Sequence, residues 1–470
     1  MSERYPFAQK GADNLRLNRE CLARAEGINA PETDHNPPSK SSHGDKIHYT
    51  ATYDWDEAAA NYMSATTALQ NVPNAEYYAD AARRGLRVLT DGIDDEGFLP
   101  NYRYIGKPRK FDPEMLLAFG RGATQSNYTQ PPLLALATLQ TYRALKEHGK
   151  GAERFLNDTY PSLVRHYNYL DRELSNSETD KLQGIYHPHM TGRDSDPTFD
   201  HIKPLRIPRI GVRTPKQIDK ANIAIDYGSI LWHGIKLRRA GSDTKAWREV
   251  YWMNDVMMNC ITQDNLNDMT TLAIEQGKAK DAEKFSERAK ILGEQIIKKM
   301  WFSEARNGNG AFLGLNKNGR PINEVSISNL FPLTLHNLPE GHLESILTMM
   351  DTSFNTPYPL PSVATDSPNY DPYNVESWRL WRGSKWMITD WYITERGLWR
   401  QIERDDLSHR PDLIERCTDW AYRIADKSFE VVERHTPREH YNPITGEGQR
   451  KAVVNFGWSN LAYFMRRKND

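Results

Sequence analysis

The sequence has few cysteines, no long apolar run and no surplus of charge of either sign. The three cysteines, Cys21, Cys260 and Cys417, are widely separated. An odd number at such spacing argues against a disulfide framework and against a cysteine-bound zinc site. No run of about 18 apolar residues is present, which excludes a transmembrane helix. Charges and a proline occupy residues 1–10, where a signal peptide needs an apolar core. We therefore expect a cytoplasmic protein.

Basic and acidic residues almost balance, 61 against 62, for a net charge of −1. Binding to nucleic acid or to an anionic membrane normally requires a basic surplus, so we expect neither partner. The 470 residues, of which 38% are hydrophobic, suit a globular protein with a large core. No linker-like segment divides the chain, so we interpret residues 1–470 as one domain, which is compatible with a homo-oligomer.

Helical periodicity dominates the chain, because apolar residues recur at three- and four-residue spacing. The predicted helices cover residues 8–26, 56–67, 75–89, 132–147, 156–174, 218–239, 244–259, 266–277, 279–300, 340–348, 384–404, 411–433 and 457–467.

Long loops rich in proline, glycine and aromatic residues separate these helices. They cover residues 29–52, 91–128, 175–216, 308–337 and 352–382. Loops of more than about 15 residues in a compact protein are usually functional, and strand patterns are few and short. These features predict an all-α fold, an (α/α)₆ toroid whose long loops form a pocket at one end. The insertions 91–128 and 175–216 would act as its cap or lid.

Aromatic residues are frequent, with 12 Trp and 23 Tyr. Core packing explains most single tryptophans, but several of these lie beside carboxylates and amides where loops meet helices. Sugar sites use this combination, since pyranose rings stack on aromatic planes and hydroxyl groups bind carboxylates and amides. The clusters are residues 53–56, 127–132, 191–200, 378–386 and 438–448 with 455–459.

Each cluster also has a purely structural explanation. An aspartate at 54 or 56 would cap a helix, and the prolines after Gln130 suit a first helical turn. The Asp, Ser and Pro residues around Asp194 are common in turns. His187 and His189 lack a clear third ligand, so we expect no metal ion. Together, however, the clusters supply what glycosidic cleavage requires: an aromatic wall, an acid for the leaving oxygen and a base for water.

The order of these motifs resembles the α/α-toroid glycosidases of glycoside hydrolase family 63 and the related family 37 trehalases. The matching segments are Tyr53-Asp54-Trp55-Asp56, Thr129-Gln130-Pro131-Pro132, Thr191-Gly192-Arg193-Asp194, Trp381-Arg382-Gly383 with Trp386, Glu439-His440-Tyr441, Thr445-Gly446-Glu447-Gly448 and Phe456-Gly457-Trp458-Ser459. The compact length is nearest to the small single-barrel members of family 63, which act on mannosylglycerate and glucosylglycerate.

This resemblance implies an inverting α-glycosidase that hydrolyses a small α-linked glucoside or mannoside, either a disaccharide or a sugar-glycerate. Asp194 is then the general acid and Glu439 the general base, with carboxyl groups roughly 6.5–9.5 Å apart and no cofactor. The resemblance also implies the following substrate-binding residues: Tyr53, Trp55, Asp56, Gln130, Trp381, Arg382, Gly383, Trp386, Tyr441 and Trp458. Candidate contacts for a glycerate carboxylate are Arg103, Lys107, Arg109 and Arg213.

One segment and two single residues depart from the family pattern. Residues 196–199, Asp-Pro-Thr-Phe, replace S-P-R-W after the acid, Glu57 replaces a serine or threonine, and Ser384 replaces a proline. The acid and base positions are kept, so the chemistry is expected to be intact while specificity can differ.

Two other functions stay open from the residues alone. A sugar epimerase or lyase on the same toroid would use a histidine or tyrosine as its base, with His187, His189 and His440 as candidates. A non-catalytic sugar-binding protein would be consistent with the altered segment 196–199. Assays for isomerised product and for binding without turnover would distinguish these functions from hydrolysis.

Overall fold

Helices account for most of the regular structure. The computed structural model describes residues 7–15, 51–70, 72–104, 125–202, 244–373, 379–449, 452 and 456–466. Its helices are a segment at residues 8–15 and then α1 (Asp54–Ala68), α2 (Ala75–Asp91), α3 (Leu134–Glu147), α4 (Ala152–Leu174), α5 (Thr244–Val250), α6 (Val256–Glu275), α7 (Ala279–Met300), α8 (Glu340–Ser353), α9 (Met387–Trp391) and α10 (Pro411–His435).

Shorter elements complete the described structure. Helix α9 continues through a π-helical stretch, Tyr392–Leu398, into Trp399–Ile402. The 3₁₀ segments are Pro188–Thr191, Pro197–Ile202, Ile327–Thr334, Asp405–Leu407 and Gly457–Phe464, and a single helical turn covers Ala305–Gly308. The strands are β1 (Ala51–Tyr53), β2 (Tyr102–Tyr104), β3 (Gly184–Ile185), β4 (Met253–Asn254), β5 (Trp301–Phe302), β6 (Ala311–Phe312) and β7 (Leu315–Asn316).

Six inner segments follow one another around a closed ring. In order of contact they are α1, α3, α6, the 3₁₀ segment Ile327–Thr334, α9 with its continuation, and the 3₁₀ segment Gly457–Phe464, which contacts α1 again. Outside them lie α2, α4, α7, α8, α10 and the segment 8–15, which packs on the last inner segment and on α10. The fold is an (α/α)₆ barrel, as the sequence predicted.

The sequences of the inner and outer helices differ as their positions require. Every residue of α1 is buried, including Ala58, Ala59 and Ala60, whose small side chains allow close approach of neighbours. A helix buried on all sides belongs in the centre of a structure. Outer helices such as α4 and α10 bury one face only, and Pro411 begins α10 at a position where its missing N–H does no harm.

The strands form three small antiparallel sheets: β1 with β2, the order β3-β4-β7, and β5 with β6. Ile185 faces Met253, which faces Asn316. The three-stranded sheet thus connects the segment after α4 with the start of α6.

Most predicted helices are present with small changes at their ends. One division is wrong, and residues 327–334, which were predicted as part of a loop, form an inner 3₁₀ segment. The sequence predicted helices at 244–259 and 266–277, whereas α5 ends at Val250 and α6 runs from Val256 to Glu275. Residues 253–254 are extended because they pair with two strands that are distant in the chain. Asp255 then begins the new helix by accepting a hydrogen bond from the Met258 amide at 2.9 Å. The predicted helix at 218–239 lies outside the described residues.

Candidate active site

The starts of four inner segments meet at one end of the ring. Trp55 and Asp56 lie in the first turn of α1, Gln130 lies just before α3, and Trp386 precedes α9. Trp458 lies in the first turn of the last 3₁₀ segment. All five side chains are buried.

Four tryptophans from three separate motifs form one connected group at this end. The rings of Trp381 and Trp386 are stacked in parallel with their centroids 4.0 Å apart. Trp386 meets Trp458 edge to face at 5.7 Å, and Trp458 meets Trp55 in the same way at 5.6 Å. We call these four residues the tryptophan cluster.

Asp194 lies between the 3₁₀ segments Pro188–Thr191 and Pro197–Ile202, and it is half-buried. Gly192 has a φ of 69°, a left-handed conformation that favours glycine. A Cβ at Gly192 would lie only 2.1 Å from Cζ3 of Trp55, so this turn packs directly on the tryptophan cluster. After Asp194, the Ser195 hydroxyl accepts a hydrogen bond from the Trp381 amide at 3.1 Å. The segment that carries Asp194 is therefore held against the cluster on both sides.

Glu439 follows α10 and is largely buried. Tyr441, two residues later, pairs with Lys385 through two backbone hydrogen bonds of 2.9 and 3.0 Å. Its hydroxyl donates to the Thr436 carbonyl and accepts from the Arg438 amide, both at 2.8 Å. Tyr441 thus uses its hydroxyl to shape the turn that contains Glu439.

The tryptophan cluster connects the two segments that carry the predicted acid and base. Trp55 lies against Gly192, two residues before Asp194. At the other side of the cluster, the indole Nε1 of Trp458 donates to the Glu439 carbonyl at 3.4 Å. Residues that are 245 positions apart in the chain (439 minus 194) are therefore placed around one group of aromatic rings.

Arg382 and Gly383 lie in the loop between the two stacked tryptophans, Trp381 and Trp386. Arg382 is buried and forms an ion pair with Asp200 of the loop after Asp194. The Gly383 amide donates to the Ser362 hydroxyl at 2.9 Å, and the Ser362 amide donates to the Ser384 carbonyl at 2.8 Å. Ser384, where the family pattern has a proline, therefore lies in a stretch of backbone that is hydrogen-bonded to Ser362.

Several buried polar atoms around this end have no hydrogen-bond partner among the described residues. They are both carboxyl oxygens of Asp54, both side-chain polar atoms of Asn127, Oε1 of Gln130, Nε2 of His189, both ring nitrogens of His440, and the indole Nε1 atoms of Trp55 and Trp386. Burying polar atoms in this way is unfavourable. Their concentration at one end favours a site built to hydrogen-bond a polar ligand.

Burial also changes the ionisation of two of these groups. It raises the pKa of Asp54 well above the ordinary value, and the charge of Asp56 raises it further. Asp54 does not cap α1, because its carboxyl oxygens have no partner among the described residues. Burial lowers the pKa of His440 to about 3, so this imidazole beside Glu439 is neutral at ordinary pH.

Sequence reasoning gave too little weight to the aromatic and imidazole side chains before Asp194. The ring of Tyr128 stacks on His187 at 4.7 Å, and its hydroxyl lies 3.3 Å from Nδ1 of His189. Nδ1 of His187 accepts a hydrogen bond from the His189 amide at 3.2 Å. Both histidines lie close to Asp194 in the sequence, and this proximity could have led to their inclusion among the predicted site residues.

The remaining predicted contacts are only partly described. Tyr53 pairs with Tyr102 in the sheet formed by β1 and β2. Arg103 donates from Nη2 to the Val88 carbonyl at 3.3 Å. Lys107, Arg109 and Arg213 lie outside the described residues.

Within the described ranges, no group of three or more His, Cys, Asp and Glu side chains is arranged to hold a metal ion. None of the described helices is both long enough and apolar enough to cross a membrane.

Comparison with known proteins identifies the family. The sequence profile of the mannosylglycerate hydrolase MGH1-like glycoside hydrolase domain matches residues 55–459. The chain belongs to this family. It is therefore a glycoside hydrolase, and the match includes all the predicted site residues except Tyr53.

Two mannosylglycerate hydrolases are similar to this chain along most of their length. The enzyme of Thermus thermophilus is 26% identical over 396 residues, which cover 80% of this chain and 86% of the relative. The enzyme of Rubrobacter radiotolerans is 24% identical over 404 residues, covering 82% and 86%.

Solved structures support the same fold. A family 63 mannosylglycerate hydrolase of Thermus thermophilus, solved with Tris and D-glycerate, superposes with a TM-score of 0.71 at 21% identity and covers 96% of this chain and 99% of that one. The neutral trehalase Nth1 of Saccharomyces cerevisiae gives a TM-score of 0.52 at 16% identity, with coverage of 89% and 71%.

Proposed function

We propose that this glycoside hydrolase cleaves mannosylglycerate or glucosylglycerate with inversion, using Asp194 as general acid and Glu439 as general base. One observation carries the proposal: the tryptophan cluster connects the turn before Asp194 with the segment of Glu439, at an end of the barrel where buried polar atoms have no partner among the described residues. An aromatic surface between two carboxyl groups fits a sugar ring flanked by an acid and a base.

In this mechanism the carboxyl group of Asp194 protonates the glycosidic oxygen as the bond to the anomeric carbon breaks. Glu439, as the carboxylate, takes a proton from a water molecule that attacks the opposite face of the sugar. The products are the free sugar, with inverted anomeric configuration, and the aglycone alcohol. The neutral ring of His440 lies next to Glu439 in the chain without adding a positive charge.

We assign binding of the sugar to side chains around the cluster. They are Trp55, Asp56, Gln130, Trp381, Arg382, Trp386 and Trp458, with Tyr53 and Gly383 contributing to the frame. Tyr441 was predicted as a sugar contact. We propose instead that it positions Glu439, because its hydroxyl is already used as both donor and acceptor.

The sugar-glycerate substrate is supported by the relatives, since both similar sequences are mannosylglycerate hydrolases. A glycerate group adds a carboxylate to be bound, and basic residues of the insertions 91–128 and 175–216 are the candidates. We propose that these insertions close over the bound substrate as a lid.

The first experiment is a hydrolysis screen with mannosylglycerate, glucosylglycerate, trehalose, kojibiose and nigerose. We expect turnover of one or both glycerates, with the β anomer as the first sugar seen by proton NMR. An α anomer would contradict inversion. An isomerised sugar would indicate an epimerase, and binding without turnover would indicate a sugar-binding protein.

The second experiment separates the two carboxyl roles. Asp194→Asn and Glu439→Gln should each reduce hydrolysis of the glycerates by about 10²–10⁴-fold. Glycosyl fluorides need no protonation of the leaving group, so Asp194→Asn should retain activity on α-mannosyl and α-glucosyl fluoride while Glu439→Gln should not. Near-normal activity of either variant on the glycerates would contradict its assignment.

A further inference from the structure

The residues on either side of Asp194 are anchored by a buried ionic network. Arg193 is fully buried and forms ion pairs with both Asp196 and Asp255. Its Nη1 also donates to the Ser326 hydroxyl at 3.1 Å. The network therefore joins the turn that carries Asp194 to two other parts of the chain.

Both distant partners begin inner segments of the barrel. Asp255 caps α6, since its side chain also accepts the Met258 amide at 2.9 Å. Ser326 immediately precedes the 3₁₀ segment Ile327–Thr334, and its own amide donates to the Asn329 side chain at 2.7 Å. Arg193 thus connects the acid turn to the starts of two neighbouring inner segments.

The local partner of Arg193 stabilises the other side of the turn. Oδ1 of Asp196 accepts hydrogen bonds from the amide and hydroxyl of Thr198, at 2.8 and 2.5 Å. These two residues belong to the segment that departs from the family pattern. Asp194 lies between Arg193 and Asp196, so its backbone is held on both sides.

The guanidinium of Arg193 forms its ion pairs with Asp196 and Asp255, not with its neighbour Asp194. Burial lowers the pKa of Arg193, but the charges of Asp196 and Asp255 together with the hydrogen bonds to both raise it, and the net pKa lies above the ordinary value. The guanidinium is thus charged and its hydrogen bonds are directed to two other carboxylates. One positive and two negative charges leave a net negative charge beside the acid turn.

We propose that Arg193 and Asp255 are positioning residues for the general acid. They hold Asp194 where it can protonate the leaving oxygen, without touching the substrate. This inference rests on the proposed role of Asp194. Because a misplacement of about 1 Å can reduce a rate by about 10²-fold, loosening the network should slow the step that needs the acid.

The test uses Arg193→Lys and Asp255→Asn. Lysine keeps the positive charge but cannot bridge two carboxylates with a planar group. Asparagine keeps the cap on α6, since Asn and Asp cap helices about equally well, but it removes the charge that faces Arg193. Asp255→Ser, which also retains a capping oxygen, serves as a second variant at that position.

The chain offers a matched control at the other end of the barrel. Arg396 also bridges two aspartates, Asp264 and Asp268, with N–O distances of 2.8 and 2.9 Å. Arg396→Lys makes the same chemical change far from Asp194. All variants are assayed below their unfolding temperatures, which circular dichroism establishes.

Each variant is assayed separately on two matched pairs of substrates. The first pair is mannosylglycerate and α-mannosyl fluoride, and the second is glucosylglycerate and α-glucosyl fluoride. For Arg193→Lys and Asp255→Asn we expect kcat on the glycerate to fall about 10- to 100-fold, with KM and the rate on the fluoride within about threefold of the wild type. Arg396→Lys should change neither rate. Equal losses on both substrates, or no loss on either, would overturn the inference.

Failure of the inference and failure of the proposed function give different results. If Asp194→Asn spares the fluoride but Asp255→Asn and Arg193→Lys do not, Asp194 remains the acid and the positioning role is wrong. If Asp194→Asn slows fluoride and glycerate equally, the assignment of the acid itself is wrong.

Discussion

The two ends of the barrel each contain an arginine between two aspartates, but the arrangements differ. At the end that carries the tryptophan cluster, Arg193 joins a loop to the starts of two inner segments. At the other end, both partners of Arg396 lie one turn apart on α6. Asp264 and Asp268 are nine and thirteen residues beyond Asp255, roughly 14 and 20 Å along that helix.

This difference teaches what each network does. Arg396 connects α6 to the helix that continues α9, and Arg400 and Tyr392 reinforce it with contacts of 2.7 Å to Asp264. Those contacts hold helix to helix. The network of Arg193 instead holds the short turn that carries Asp194 between two 3₁₀ segments. This turn lies at the end where buried polar atoms have no hydrogen-bond partner among the described residues. One network stabilises the barrel, and the other gives a loop a defined position.

The largest effect on stability should come from removing each arginine. Arg193→Met leaves Asp196 and Asp255 buried without their cation, which costs about 3–5 kcal/mol. Arg396→Met should cost roughly half as much, because the Arg396 side chain is 20% exposed and water can replace part of the interaction. Urea unfolding of both variants measures the difference, and an equal or reversed order would contradict it.

The next effect concerns a histidine at the cluster end. In the folded protein the pKa of His440 is lowered from its ordinary 6.5 to about 3. Between these two values the unfolded chain binds a proton at His440, whereas the folded chain does not. Its contribution to stability is therefore lost as the pH falls below 6.5, by about 2–3 kcal/mol at pH 4.5.

His440→Gln should accordingly lose less stability between pH 7 and pH 4.5 than the wild type, as measured by urea unfolding at both values. His336 provides a comparison, since partial burial and the nearby charge of Arg400 lower its pKa to about 4, while part of its surface stays accessible to water. His336→Gln should change the pH dependence less. The same acid sensitivity in His440→Gln and in the wild type would show that His440 is not the cause.

The last comparison concerns two glycines with similar backbones, which share a small strain cost but should differ in their effect on catalysis. Gly192 and Gly277 have φ values of 69° and 65°, so an alanine at either position costs about 1 kcal/mol of strain. A Cβ at Gly192 meets the ring of Trp55, whereas a Cβ at Gly277 meets nothing within 4 Å. Gly192→Ala should therefore reduce kcat/KM for the glycerates at least tenfold, and Gly277→Ala should leave it unchanged. Equal kinetics for the two variants would contradict the packing of the acid turn on the cluster.

The sequence predicted the fold well because its helices are long and strongly periodic. It failed between residues 244 and 277, where apolar residues suit helix and strand alike. There the pairing of Met253 with Ile185 and Asn316 decided the structure. Such pairing depends on chain segments that are distant in sequence, so no local pattern contains it.

The candidate site was predicted from short motifs, and their order led to the correct family. The sequence could not tell whether Arg193 would pair with its neighbour Asp194, because adjacency in the chain says nothing about the direction of a side chain. The structure turns Arg193 towards Asp196 and Asp255. In the same way, the structure shows that the Tyr441 hydroxyl forms hydrogen bonds with the backbone near Glu439.

By itself the sequence determined most of the helices, their amphipathic faces and the order of the motifs, since these depend on neighbouring residues and on composition. Only the tertiary structure decided which tryptophan rings contact one another and which carboxylates pair with Arg193. It also decided which described polar atoms are buried without a hydrogen-bond partner among the described residues. Those outcomes depend on distances between segments hundreds of residues apart, and burial then sets the strength of each charge and hydrogen bond.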